Sequence, residues 1–332
     1  MKNTLKLVLA AAVTMTASYA MAEIKPAMIY DMGGKFDKSF NESAYEGVKA
    51  FTKDTGIAVR EFEIKAEAQR EQALRKFAKS GFSPIAVTGF TFGTALEVVA
   101  KEFPDTQFTI VDGFVDLPNV QFVSFTEHEG SYLVGYLAAQ KSETKNVGFI
   151  GGMVFPVIQK FECGYVQGAK AGGATDVFSN MVGTSHADAW GNPTKAAELA
   201  KSQFSLGADI VFAAAGGSGL GAIQAAKDEG KLAIGVDSNQ NHIIPGTVLT
   251  SMVKRVDNAI SDAFKTAMDG TWKSGQKVMG ITEGGISWAL DDNNKALISD
   301  ELKAIMADLQ AKIVAGDIKV HNTDTDGACP FL

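Results

Sequence analysis

From Ala27 onward, short apolar runs alternate with longer stretches in which apolar residues recur every three to four positions. Ala27 to Tyr30 is an apolar run ending at Asp31, followed by a Gly33-Gly34 turn and a helical stretch from Ser39 to Thr52. Ile57 to Ile64 predicts a second strand. Glu67 to Ser80 predicts a helix, with Ala73, Leu74, Phe77 and Ala78 near 3.6 spacing. Ile85 to Thr88 is a third strand, and Thr94 to Phe103 a helix closed by Pro104. Gln107 to Val111, ending at Asp112, and Val120 to Phe125 complete the first series. The pattern then restarts. Strands are predicted at Asn146 to Ile150, Asp176 to Val182, Asp209 to Ala213 and Leu232 to Val236, the last ending at Asp237. Helices are predicted at Ile158 to Ala171, Lys195 to Leu206 and Gly219 to Glu229. Such alternation with short connections predicts parallel sheets covered by helices on both faces. Two series predict two α/β lobes. No Pro- or Ser-rich linker separates them, which favours a hinged pair over independent domains.

The first 22 residues break the pattern. Lys2 and Lys6 precede a mostly apolar run from Leu7 to Tyr19, and Ala20-Met21-Ala22 puts small residues at the -3 and -1 positions. This predicts a secretory signal peptide cleaved before Glu23. A buried N-terminal helix is the alternative. No later segment reaches the roughly 20 apolar residues a membrane helix needs. Removing 22 of the 332 residues leaves 310, and losing the two lysines takes the formal charge from -7 to -9. No Cys lies at the cleavage site, so the expected product is soluble, unlipidated and periplasmic.

Composition adds exclusions. Hydrophobic residues make up 46% and charged residues 21%, which rules out disorder and collagen-like repeats. With 31 basic against 38 acidic residues, the chain is a poor nucleic-acid binder, because phosphate binding relies on Lys and Arg. The two cysteines, Cys163 and Cys329, exclude a Cys-based zinc module and a disulfide-rich scaffold. Export permits a Cys163-Cys329 disulfide; two unpaired buried thiols are the alternative.

Polar groups gather at strand ends. Asp31, Asp112 and Asp237 each follow an apolar strand, at the edge where doubly wound sheets bind ligands. An Asp there also caps helices or forms Asx turns. In the loop DMGGKFDKSFN (31-41), Asp37, Ser39 and Asn41 offer capping oxygens. Phe36 and Phe40 are suited to stacking on a planar ligand, or to covering the helix start. GGSGLGA (216-222) meets a loose G-x-G-x-x-A dinucleotide pattern, with Asp237 twenty residues beyond Gly217. Its place in mid-chain and the export signal favour a milder role, backbone N-H groups facing a ligand. Glu127-His128-Glu129 reads as a polar connection between lobes rather than an acid-base cluster. His186 and Asp188 are too few to make a metal site. No catalytic set, metal or cofactor is expected.

The motifs are together more specific. DKSFNESAYEG (37-47), FTEHEGSYLVGYLAA (125-139), VGFIGG (147-152), FECGYVQGAKA (161-171), AAAGGSGLGAI (213-223), IGVDSNQ (234-240) and LTSMVKRVD (249-257) occur in this order. The chain resembles the basic membrane protein, or PnrA-like, family of ABC-transporter substrate-binding proteins, which includes bacterial purine nucleoside receptors. The resemblance implies a type I periplasmic-binding-protein fold: α/β, two Rossmann-like lobes with parallel sheets, three hinge crossings and a ligand cleft at the hinge. It implies lobe 1 at 23-125 plus about 253-284, and lobe 2 at 126-252 plus about 285-332. It implies a monomeric, non-enzymatic receptor that delivers a nucleoside to an inner-membrane permease and its ATPase. A nucleoside-processing enzyme, or a receptor for free purines or flavins, is the alternative. Carried over by motif, Asp31 and Asn41 contact the ligand, Phe40 forms one face of an aromatic sandwich and Trp190 the other. Gly217 offers backbone groups, and Asp237 holds ribose hydroxyls with Lys254 nearby. Asn192 and Asn239 stand where relatives usually carry acids.

Overall fold

The structure, a computed structural model, describes residues 24-332. The expected signal peptide, residues 1-22, lies outside the described residues. In chain order the elements are β1 (Ala27–Tyr30), α1 (Phe40–Thr55), β2 (Arg60–Glu63), α2 (Gln69–Lys79), β3 (Ile85–Thr88), α3 (Gly93–Glu102), β4 (Phe108–Val111) and β5 (Val120–Phe125). Then follow α4 (Glu127–Lys141), β6 (Asn146–Gly151), α5 (Pro156–Ala171), β7 (Asp176–Met181), α6 (His186–Trp190), α7 (Pro193–Ser205), β8 (Ile210–Ala214), α8 (Gly219–Asp228) and β9 (Leu232–Asp237). The C-terminal part adds β10 (Val248–Lys254), α9 (Val256–Met268), β11 (Gly275–Met279), β12 (Ile286–Trp288) and α10 (Asp300–Ala315).

Two six-stranded sheets result. The first has the order β11-β5-β4-β3-β1-β2 and is parallel throughout. The second has the order β12-β10-β9-β8-β6-β7 and is parallel except where β12 pairs with β10. The central strands are apolar on both faces because helices cover both. β1, β3, β4 and β8 are buried along their whole length. The predicted strand 57-64 shrinks to Arg60–Glu63, the part of that run that pairs with β1.

The chain changes sheets three times: between β5 and α4, between β10 and α9, and between β11 and β12. At the second change α9 leaves the β10 sheet and packs on α1. There the Phe51 and Phe264 rings meet edge-on at 5.4 Å, and a Cβ on Gly47 would lie 2.3 Å from the Asp257 carbonyl oxygen. One buried apolar cluster runs across both sheets, from Met28, Phe51 and Phe264 to Phe149, Tyr165 and Phe212.

One connection between the sheets is a helix that the periodicity does not predict. Glu127-His128-Glu129 is the first turn of α4, a helix buried on nearly every side. It crosses α5 at glycine distance: a Cβ on Gly164 would lie 2.2 Å from the His128 oxygen, and one on Gly168 2.0 Å from the Tyr132 oxygen. A helix with no wet face shows no 3.6-residue alternation, so the pattern could not reveal it.

Of the two alternatives for the cysteines, the structure shows the joined pair. Cys163 in α5 and Cys329 in the C-terminal tail are disulfide-bonded, with Cα atoms 5.6 Å apart. Gln167 also holds the tail, donating to the Lys319 oxygen at 3.2 Å and accepting from the His321 N-H at 2.9 Å. Among the described residues, no helix is long and apolar enough to cross a membrane.

Candidate functional site

The carboxyl ends of both sheets face one cleft. Asp31 and Met32 follow β1, Gly89 and Phe90 follow β3, and Ala214 and Gly216 lie at the end of β8. Val236 and Asp237 end β9, Ile158 and Phe161 come from α5, and Trp190 ends α6. Asp37, Phe40 and Asn41 complete the lining. The cleft holds about 600 Å³ of space free of protein atoms, its open mouth included.

The two sides touch across it. The Ser39 hydroxyl donates to Asp237 Oδ2 at 2.5 Å, and the Ser238 hydroxyl donates to the Ser39 carbonyl at 3.0 Å. Gln240 Nε2 donates to the Lys38 carbonyl at 2.8 Å. Phe90 stacks on Phe155 with centroids 3.4 Å apart and planes 14° from parallel.

Five of the seven expected residues, Asp31, Phe40, Asn41, Trp190 and Asp237, line this cleft. Their polar atoms are not equally free. Asp31 Oδ1 accepts from Arg70 Nε at 3.1 Å and Nη2 at 2.8 Å, and its Oδ2 accepts from the Thr91 hydroxyl. Asn41 Nδ2 donates to the carbonyls of Asp31 at 3.2 Å and Gly34 at 3.3 Å, while its Oδ1 accepts from the Thr88 hydroxyl at 2.9 Å. Both residues therefore brace the 31-41 loop. Asp237 is different: Ser39 occupies one oxygen, and no described residue donates to the other.

The remaining two expected residues adjoin the cleft without lining it. Gly216, not Gly217, lines the cleft. A Cβ on Gly217 would meet the Trp190 carbonyl oxygen at 3.1 Å and Asp37 Cβ at 3.5 Å, so its backbone supports Trp190. Lys254 is buried behind the cleft, with Nζ 5.4 Å from the centre of the Phe40 ring. It donates to Asp112 Oδ2 at 2.5 Å and Glu127 Oε1 at 2.8 Å. Lys160 bridges Glu127 Oε2 at 2.9 Å to Asp324 at 3.0 Å. Glu127 is thus a buried ion-pair centre at the polar connection where the chain passes from β5 to α4.

Burial pushes Glu127 up, but the Lys254 and Lys160 ammonium groups outweigh it and bring the carboxyl down to about 2. For Asp112 burial wins over Lys254 and pushes it up to about 6. Burial also raises Asp237, against the pull of Lys254 and the Ser39 hydroxyl. Asp37 is pushed up to about 7 by burial. The opposing pull there comes from the N-H groups of Asn41, Ser39 and Glu42, which it caps at 3.0, 2.8 and 3.1 Å. Its role is the helix capping the sequence suggested, together with a place in the cleft lining.

Other expectations resolve locally. Phe36 is 62% exposed and meets Tyr45 edge-on at 5.4 Å, outside the cleft lining. Asn192 caps α7 by accepting from the Lys195 N-H, and Asn239 donates to Asp291. His186 accepts from the Trp190 indole N-H. Motif reading missed Phe90, Phe161, Ile158 and Met32. The one available signal was Phe90 between Gly89 and a second aromatic in GFTFG, directly after a strand.

A family model described as "Bmp: ABC transporter substrate-binding protein PnrA-like" matches residues 24-324. The chain is 32% identical to a CD4+ T-cell-stimulating antigen of Listeria monocytogenes, over 89% of this chain and 87% of that protein. It is 30% identical to the ABC transporter nucleoside-binding protein BmpA of Lactococcus lactis, over 92% and 91% respectively. In structure it is similar to a solute-binding protein of an ABC transporter system from Aeropyrum pernix. That match has a TM-score of 0.83 at 23% identity and covers 90% of this chain and 94% of that one.

Proposed function

The chain belongs to the PnrA-like family of ABC transporter substrate-binding proteins and has their two-lobe α/β periplasmic-binding fold, and from that premise we propose that it captures a purine nucleoside between its lobes and delivers it to a membrane permease. The observation that carries the reading is the cleft itself. Phe40, Phe90, Phe161 and Trp190 line it, and Asp237 keeps one carboxylate oxygen without a donor among the described residues. A purine has flat apolar faces, and stacked aromatic pairs contribute about 0.5–1.5 kcal/mol beyond area burial. A ribose offers hydroxyl donors to the open Asp237 oxygen. The nucleoside-binding name of the Lactococcus lactis relative supports the same class of ligand.

Charge favours a nucleoside over a nucleotide. Asp31, Asp37 and Asp237 line the cleft, and the nearest cations, Arg70 and Lys254, are already paired with Asp31 and with Asp112 and Glu127. A phosphate would meet carboxylates and no free cation among the described residues. The same set has no nucleophile-base pair, so a receptor is favoured over a nucleoside-processing enzyme. Incubation with nucleosides separates the two: released base marks an enzyme, and a thermal shift without turnover marks a receptor.

The proposed organisation keeps lobe 1 at 23-125 plus about 253-284 and lobe 2 at 126-252 plus about 285-332. The protein acts as a periplasmic monomer cleaved before Glu23 and carrying no lipid. Its partners are a permease and ATPase in the inner membrane. Mass spectrometry of protein from a periplasmic extract tests this at once. The expected result is a polypeptide starting at Glu23 and, after denaturation, a purine nucleoside in near-stoichiometric amount. A different co-purified solute, or release of free base on incubation, overturns the ligand assignment.

A further inference from the structure

Trp190 is held by more than apolar packing. A Cβ on Gly152 would lie 2.1 Å from Trp190 Cζ3 and 2.6 Å from Cε3, so the indole lies against bare backbone after β6. Its N-H donates to His186 Nδ1 at 3.1 Å, one turn earlier in α6. The other contact of His186 comes from the facing lobe. Its ring meets Phe90 at 5.2 Å and 48°, and Phe90 in turn stacks on Phe155. The series Phe155, Phe90, His186, Trp190 thus runs from one side of the cleft to the other and back.

We propose that His186 is a positioning residue that seats the Trp190 indole in the cleft, and that ligand binding therefore requires the neutral imidazole. The proposal rests on the reading of the cleft as the ligand site. Only a neutral ring with an unprotonated Nδ1 accepts the indole N-H; the imidazolium donates from both nitrogens and releases it. A loosened indole costs a stacked ligand its rigid wall.

The surroundings set the direction of the pH effect. Burial lowers the His186 pKa from its ordinary value. Of the charged groups facing it, Asp31 at the end of β1 raises it, Arg70 on α2 lowers it and Glu67 before α2 raises it. On its own helix Asp188 is occupied with the Ser185 hydroxyl at 2.7 Å. Affinity is full above the His186 pKa and falls as pH drops through it, because the proton competes with the indole N-H for Nδ1.

Two arms test this. In the ligand-free protein, the Trp190 indole ¹H–¹⁵N resonance, assigned by its loss in Trp190→Phe, should move with pH as His186 titrates. The movement should vanish in His186→Gln, whose amide oxygen accepts at every pH. In the second arm, inosine, guanosine and adenosine are titrated calorimetrically from pH 7.5 to 5. His186→Leu should weaken binding about three- to tenfold at pH 7.5, the scale of one hydrogen bond. His186→Gln should recover most of that loss and flatten the pH profile. In Trp190→Phe, adding His186→Leu should change nothing further. An indole resonance that ignores pH, or moves equally in His186→Gln, overturns the proposal, as does a His186→Leu effect that persists in the Trp190→Phe background. The first arm needs no ligand. Failure of every nucleoside to bind therefore overturns the proposed function while the resonance still decides the role of His186.

Discussion

At the scale of single residues, the cleft separates groups that hold it from groups left to meet a ligand. Asp31 and Asp237 both end apolar strands, and sequence treats them alike. The first is consumed by Arg70 and Thr91, and the second keeps an oxygen open. Their substitutions should therefore differ in kind. Asp31→Ala strands a buried guanidinium, and loss of one partner of a buried pair costs on the order of 3 kcal/mol of stability. Asp237→Ala removes the acceptor of the buried Ser39 hydroxyl, so a modest fall in melting temperature should accompany a weakening of nucleoside binding by about 1–3 kcal/mol, the cost of one unpaired buried polar contact. Phe40→Ala should weaken it as well. Thermal melts and calorimetry on the three variants decide the matter. Unchanged affinity in both Phe40→Ala and Asp237→Ala would sink the assignment of the cleft.

Among elements, the α4–α5 crossing is held by a row of close glycine approaches. Gly135, Gly164 and Gly168 let the two helix backbones meet: the Cβ positions they leave empty lie 2.3 Å or less from carbonyl oxygens of the opposite helix. Alanine in a helix is otherwise favoured over glycine by about 1 kcal/mol. Here the clash opposes that gain, because forcing atoms into a packed core costs about 1–3 kcal/mol. Gly168→Ala should therefore lower the stability measured by urea unfolding, and a stabilised variant would show that the helices separate freely. The predicted strands and helices up to β9 were legible because short runs bounded by Gly, Pro and Asp are local signals. α4 was not legible, since its partners on every side are distant in sequence.

On the scale of the whole molecule, the Asp112–Lys254–Glu127–Lys160 network joins the end of β4, the end of β10, and the starts of α4 and α5, where the chain passes between sheets. Glu127→Gln imitates the protonated carboxyl and leaves two buried ammonium groups short of charge. A loss on the order of 3 kcal/mol is expected at pH 7. The sign with pH follows from the depressed carboxyl, which has an ordinary value of 4.5 and falls to about 2 in the fold. The advantage of the wild type over Glu127→Gln should be complete above pH 4.5 and shrink as pH falls toward about 2. Melting temperatures of both proteins across that range check it. A difference that stays constant would mean that Glu127 acts through packing and not through charge.

The strands up to β9 and most of the helices between them, the two-lobe α/β class and the family were within reach of the sequence, because apolar periodicity, strand-end aspartates and contiguous motifs are properties of neighbouring residues. Their likeness also placed Asp31, Phe40, Asn41, Trp190 and Asp237 on one cleft. What each does there was decided only by the tertiary structure. Arg70 reaches Asp31 across 39 positions, Ser39 reaches Asp237 across 198, and Lys254 meets Asp112 across 142. A hydrogen bond satisfies whichever partner the fold brings within about 3 Å, and chain spacing has no record of that distance. Phe90 and Phe155 show the same limit, for their stacking exists only once the two sheets face each other.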